Sequence, residues 1–525
     1  MIIAVRNVSL YERDRKRRNE KSVWLPFAAI LSIAAGLQTG EWIISVAILV
    51  LYAIWRFAPE WEGPPVIPMA LTFQWLQVVS GVFYLALTGR HTMEIDRSDY
   101  RPMVLIGLGC VVALLLGLRL ATKVSPPPLE AARTAVLRLG WKELAIVYAA
   151  SVAVTGTVQD LAWRIAGLTQ IVLAVSMFRL AVMFLLLRRL TYPQPRFVWL
   201  GIFLAGEVVM GSAGYFAGFR EPLLLAIIAF LEMFDRKKAS HWLALSTIGA
   251  VVVILGFLWL GIRSDYRKDF GQAEFASSRG ARMERLIVLS SGWASRSLDE
   301  RLRNLDFFVM RLWAVYYPAL AMKRVPAVLP HEEGALLWGT IKHVLMPRLF
   351  FSDKDPLVSN STLVRRYSGV RVAGEKENTS IAFGYAAESY VDFGVPVMFM
   401  PILVFGIFTG AALNFFLRTI RCREAGIVLV TVLAWSGLYL FEVSWSKMLG
   451  DMLTRMIFLG GTFILLDRAH SSKPRFDPSF LRDILTWNTS SSTADRRIVV
   501  SRSSNGTQKN LRTFLPSPTA GPRPN

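Results

Sequence analysis

Two cysteines in 525 residues exclude a disulfide framework, since Cys110 sits inside an apolar run and Cys422 in a basic loop. Charge is also scarce. Only 18% of residues are charged against 53% hydrophobic, and the mean hydropathy of +0.41 excludes an ordinary soluble domain. No Ser/His/Asp order, P-loop, zinc-ligand spacing or G-x-G-x-x-G stands out. Hydrolase, ATPase and dehydrogenase readings therefore have no support, and no cofactor is implied. No internal repeat is visible, so the inverted-repeat signature common among transporters is missing too.

What the chain has is positive charge and grease. The formal net charge is +21 and the pI about 10.2. In a soluble protein this excess would suggest nucleic acid, but no nucleic-acid motif is present. Lys and Arg gather in the cytoplasmic loops of membrane proteins and against anionic headgroups. The basic start "RDRKRRNEK" runs into an apolar segment followed at once by another, which reads as a signal anchor. A nuclear signal is the competing reading of that run.

Windows long enough to cross about 30 Å of hydrocarbon give about twelve candidate spans. They lie near 23–39, 42–57, 69–89, 103–122, 143–158, 165–187, 197–219, 222–234, 242–262, 395–417, 425–442 and 448–467. With a cytoplasmic N-terminus, the basic clusters Lys123 to Lys142, Arg188 to Arg196, Arg236 to Lys238 and Arg418 to Arg423 all fall inside, as does the basic tail after Arg468. That agreement with the positive-inside rule puts both termini in the cytoplasm, although the acidic loop 58–68 runs against it.

The expected fold is all-α, a polytopic membrane bundle of about 12 transmembrane helices with one large extracytoplasmic loop region containing amphipathic helices. A basic cytoplasmic tail (1–22) leads into nine helices (23–262), the outer region (263–394), three last helices (395–467) and a disordered basic tail (468–525). In the outer region, "SLDERLRNLDFFVMRLWAVYYPALAM" predicts one helix along the membrane surface, capped by Ser297 and Glu300. "ALLWGTIKHVLM" predicts a second.

Several residues are placed to carry chemistry. From Arg220 to Asp235 is about 22 Å of helix, which sets Arg220 and Glu221 below the outer surface, where a charge needs a cavity. Snorkelling to the headgroups is the competing reading. Arg179 and Glu207, on adjacent spans, read as a structural pair, and Asp451 with Arg455 as an intrahelical one. "MPRLFFSDKDP" supplies Arg348, Lys354 and an Asp353/Asp355 pair, and "LVRRYSGVR" adds Arg365, Arg366 and Arg371. Guanidinium forks clamp phosphate oxygens, so this cluster suits a lipid-linked phosphate or pyrophosphate; contact with anionic headgroups is the alternative. The D-x-D pattern is too short to argue for a metal.

In "GYAAESYVDFG", Glu388 and Asp392 stand four apart, sharing one helical face at the mouth of a span. Such a carboxylate can take a proton from a hydroxyl nucleophile, or simply pair with a nearby arginine. His331 and His343 are the other candidate bases. Tyr385, Tyr390 and Trp338 are candidates for stacking on sugar rings.

Three stretches together resemble the bacterial O-antigen and exopolysaccharide repeat-unit polymerases, the Wzy-like family. They are "GSAGYFAGFREPLLLAII", "MPRLFFSDKDP" and "NTSIAFGYAAESYVDFG", and with the general layout the likeness covers roughly 200–420. The resemblance implies a metal-independent membrane glycosyltransferase in the bacterial inner membrane, among membrane lipids. It would pass a growing glycan from a polyprenyl-pyrophosphate-linked oligosaccharide to a sugar hydroxyl of the next lipid-linked repeat unit. Arg220, Arg348 and Lys354 would stabilise the pyrophosphate and Glu388 would act as base or position the acceptor; from residue type rather than from the resemblance, Lys354, Arg365, Arg366, Tyr385, Tyr390 and Asp392 are the candidate substrate-binding residues. A chain-length regulator is the implied protein partner, and no nucleic acid is. A ligase using another acceptor shares this donor chemistry, and a lipid-linked sugar flippase is the rival from a different class.

Overall fold

The computed structural model describes residues 26, 28–59, 61, 63–90, 99–124, 139–162, 169–192, 195–212, 218–269, 279–346, 351, 357–374 and 380–472. Among these every regular element is helical. In an apolar solvent the helix is the element that satisfies its own backbone, and the apolar windows fold accordingly. They give α1 (Ala28–Thr39), α2 (Trp42–Phe57), α3 (Val66–Thr88), α4 (Arg101–Val124), α5 (Trp141–Ala162), α6 (Thr169–Thr191), α7 (Phe197–Ser212), α8 (Arg220–Leu231) and α9 (Ala239–Lys268). Six shorter helices follow: α10 (Arg279–Ala294), α11 (Leu298–Leu312), α12 (Tyr316–Arg324), α13 (Ala335–Leu345), α14 (Asn360–Ser368) and α15 (Tyr385–Phe393). The series closes with α16 (Phe399–Thr419), α17 (Arg423–Leu438) and α18 (Trp445–Ser472). The chain divides into two units, Met1–Ser471 and Ser472–Asn525, and the expected disordered tail lies almost wholly outside the described residues.

Each of the twelve apolar windows falls on one of α1 to α9 or α16 to α18. Five of these, α3, α4, α9, α16 and α18, are long and apolar enough to cross a membrane; α1, α2 and α7 are apolar but shorter. At 12 residues α8 is about 18 Å long, too short to bridge the hydrocarbon slab alone. α9 makes the clearest case for a lipid solvent. Its mean hydropathy reaches 2.4, yet Leu243, Val253 and Ile254 on it are 58–70% exposed, a surface that water would not tolerate.

Polar contacts gather in two layers at opposite ends of the long helices. At one end Arg188 on α6 pairs with Glu232 after α8 (2.6 Å), Arg189 with Glu424 on α17 (2.7 Å), and Asp467 on α18 accepts from the backbone N–H of Arg421 and Cys422. At the other, Arg101 pairs with Glu41, Arg90 with Asp306 on α11, and Arg311 with Glu442. α10 to α15 belong to this second end. Between the layers α4 and α16 pack most closely, through glycine: a Cβ on Gly117 would lie 2.3 Å from the Leu403 carbonyl, and one on Gly406 2.7 Å from that of Leu114. Arg179 and Glu207 do pair, at 3.3 Å, with the Tyr148 hydroxyl donating to the same carboxylate.

The single surface helix expected over 297–322 is instead two. Ser297 caps α11 as expected, accepting from the Glu300 N–H, but the helix stops at Trp313. Trp313 is 2% exposed, and its ring lies where a side chain on Gly81 of α3 would be. Its indole N–H donates to the Val78 carbonyl while the Ala314 N–H donates to that of Gln77. Burying one tryptophan against α3 thus breaks the helix and turns Tyr316 and Tyr317 inward.

Candidate functional site at one end of the bundle

The segment between α17 and α18 is the centre of the site, and its shape is imposed from α3. Two fully buried glutamines there satisfy its backbone: the Gln77 amide donates to the Tyr439 carbonyl (2.8 Å) and accepts from the Phe441 N–H (3.2 Å), and the Gln74 amide donates to the Leu438 carbonyl. Tyr385 completes the clamp by donating its hydroxyl to Gln74 Oε1 at 2.7 Å. Buried amides are retained when every partner is met, as here.

Against this segment opens a cavity of about 1160 Å³. It is larger than most small-molecule pockets, which run to about 1,000 Å³. Its walls come from the middle of α6, the start of α8, the end of α9, the α11–α12 corner, residues 370–372 and 380–382, and the facing parts of α17 and α18. Among the described residues six cations line it, Arg263, Arg267, Arg311, Arg371, Lys447 and Arg455, against three carboxylates, Glu221, Glu442 and Asp451. Trp313, Tyr316, Tyr317, Trp435 and Tyr439 give it an aromatic wall, and Met177, Leu180 and Met448 an apolar one.

Two of the acids are held. Arg311 grips Glu442 with two hydrogen bonds (2.8 and 3.2 Å), and the Glu442 charge raises the Arg311 pKa above its ordinary value. Arg455 bonds Asp451 at 3.1 Å, the intrahelical pair expected, and also donates to the Ser436 carbonyl. Arg220 reaches the cavity wall through one residue: its guanidinium donates to the Tyr439 hydroxyl at 3.3 Å and lies 5.8 Å from the centre of that ring. Tyr439 stacks in turn on Trp435. Close packing of Gly211 on Gly218 and Phe219 lets α7 hand over to α8 so that Arg220 starts the helix there.

Other expected site residues stand elsewhere. Arg348, Lys354 and the Asp353/Asp355 pair lie outside the described residues. Glu388 is 3% exposed and does not line this cavity; its Oε2 accepts from the Trp445 N–H at 2.9 Å, capping α18. Burial pushes its carboxyl up to about 8, so at neutral pH it holds its proton. Asp392 is also buried, with a pKa raised by burial, and accepts from the N–H groups of Leu336 and Leu337 at the start of α13. The two carboxylates thus each serve the N-terminus of another helix. Tyr390 donates to the Val325 carbonyl, Arg366 pairs with Glu332 beside the Tyr367 hydroxyl, and Arg365 bonds the Ser361 carbonyl. Among the described residues no group of three or more His, Cys, Asp or Glu side chains is placed to hold a metal ion.

The cavity residues that sequence reasoning passed over are Arg263, Arg267, Arg311, Glu442 and Lys447. A signal existed for two of them, since Arg263 and Arg267 are four apart at the end of a long apolar helix.

Residues 113–442 match a family described as Domain of unknown function (DUF8712). The chain belongs to the DUF8712 family. The matched stretch runs from α4 to Glu442 and so takes in Arg220, the end of α9 and the α17 part of the cavity wall. No curated protein and no solved structure matches the chain.

Proposed function

We propose that this chain is a membrane glycosyltransferase that polymerises lipid-linked oligosaccharide repeat units into surface polysaccharide, with the diphosphate of a polyprenyl carrier held in the cavity. The observation that carries this reading is the wall itself: six cations beside an aromatic face and an apolar flank, at one end of an apolar bundle. A polyprenyl-diphosphate-linked sugar has the matching three parts, an anionic diphosphate, sugar rings and a hydrocarbon tail. The order of the three polymerase-like stretches in the sequence supports the same reading. So does the alternation of basic loops that fits twelve spans with cytoplasmic termini in a bacterial inner membrane.

In the transfer, the bond from the sugar's anomeric carbon to the diphosphate oxygen breaks as one to the acceptor oxygen forms. The diphosphate departs with the electron pair. Charge therefore grows on the leaving group, where preorganised guanidinium and ammonium groups lower the barrier. Aromatic faces such as Tyr316 and Tyr317 orient the sugar. Arg220, acting through Tyr439, positions the α17–α18 segment in this scheme.

Farnesyl diphosphate is a suitable probe. The purified full chain in detergent should bind it competitively with inorganic pyrophosphate. Arg371 and Lys447 are exposed at the cavity and make no ion pair among the described residues, so their removal should spare the fold. Charge-assisted hydrogen bonds are worth about 1.5–3 kcal/mol each, so R371A with K447A should weaken binding about 100-fold or more. Unchanged affinity in the double variant would reject the cavity as the diphosphate site.

A further inference from the structure

We infer that Glu221 is the general base that takes the proton from the acceptor hydroxyl, an assignment that rests on the transfer reading above. Of the three carboxylates that line the cavity among the described residues, Glu442 is held in a two-point grip by Arg311 and Asp451 by Arg455. Both are already spent on guanidinium partners. Glu221 is half-buried in the same wall and makes no hydrogen bond or ion pair among the described residues. Its oxygens are therefore available to a hydroxyl in the cavity.

As the second residue of α8, Glu221 is fixed at the start of that helix, in the wall of the cavity. Arg220 beside it is turned onto Tyr439, so the guanidinium next in sequence is engaged with that ring and hydroxyl and makes no ion pair with this carboxylate. Glu388, the base implied by family resemblance, does not line the cavity: it is buried, and its Oε2 is bound to the start of α18.

The step balances without a cofactor. The acceptor O–H proton passes to a Glu221 carboxylate oxygen as the acceptor oxygen bonds to the anomeric carbon, and the diphosphate leaves with the electron pair of the broken bond. A positioned general base supplies about 10²–10⁴-fold.

The test uses the purified full chain and the lipid-linked oligosaccharide fraction extracted from cells that lack the protein. E221Q should lower glycan transfer at least 100-fold while farnesyl diphosphate binding stays within twofold of wild type. E221D should retain more transfer than E221Q, and added formate should restore part of the activity of E221A by filling the vacated space with a small carboxylate. Full transfer by E221Q, or an inactive E221A that formate leaves unchanged while diphosphate binding persists, overturns the assignment. Failure of the wild-type chain to bind farnesyl diphosphate overturns instead the reading on which it rests.

Discussion

At the residue scale, the buried acids of α15 behave as structural groups with a pH signature. Glu388 titrates near 8 in the folded chain against an ordinary value of 4.5, so between those limits the folded state keeps a proton that the unfolded chain releases. The stability this gives is complete below about pH 4.5 and is lost as pH rises toward 8. Wild-type protein in detergent should therefore show a thermal midpoint that declines from pH 5 to 8 and then levels. E388Q should flatten the decline. Parallel profiles for the two proteins would rule out Glu388 as its source. Arg220 makes the contrasting case: R220K keeps the charge and loses the fork that reaches the Tyr439 hydroxyl. Transfer should fall about tenfold with protein accumulation unchanged, measured by polysaccharide chain-length ladders alongside immunoblots.

Between α4 and α16, contact depends on the absence of side chains. Gly117→Ala would place a methyl group 2.3 Å from a backbone carbonyl that has no rotamer to escape into. Overpacking of this kind costs about 1–3 kcal/mol, and the variant should lose several degrees of thermal midpoint in detergent. Gly201→Ala, with nothing within 4 Å of the added carbon, should change little. The helices themselves were legible in the sequence, because apolar solvent forces the backbone to pair locally and the windows mark where that happens. Their interruptions were not. α11 ends because Trp313 finds a slot beside Gly81, more than two hundred residues earlier, and no local pattern announces such a partner. The role of Glu388 was hidden likewise: it caps a helix that begins 57 residues later.

For the whole molecule, the candidate site was half visible. Arg220 and the Asp451–Arg455 pair could be picked out as charges in or beside apolar runs, and Arg371 as one of a cluster of arginines in the outer region. Their assembly with Arg263, Arg311 and Glu442 into one wall depends on how six separated segments meet. The two polar layers also permit a test of orientation. Cys110 and Cys422 are buried, so the wild-type chain should resist a membrane-impermeant maleimide. A cysteine replacing Arg296, at the end that carries α10 to α15, should react from outside intact spheroplasts; one replacing Lys237, in the α8–α9 turn, should react only after lysis. The reverse pattern would invert the topology and move the cavity to the cytoplasmic face.

The bonds from Gln74 and Gln77 to the α17–α18 segment span more than 360 residues of chain. During synthesis α3 emerges from the ribosome long before those carbonyls exist, so its two amides wait in the translocon or bilayer without their final partners. The site can close only when the last pair of helices arrives. A nascent chain stalled before α17 would hold most of its spans and none of its activity, exposing a polar seam that membrane quality control can recognise.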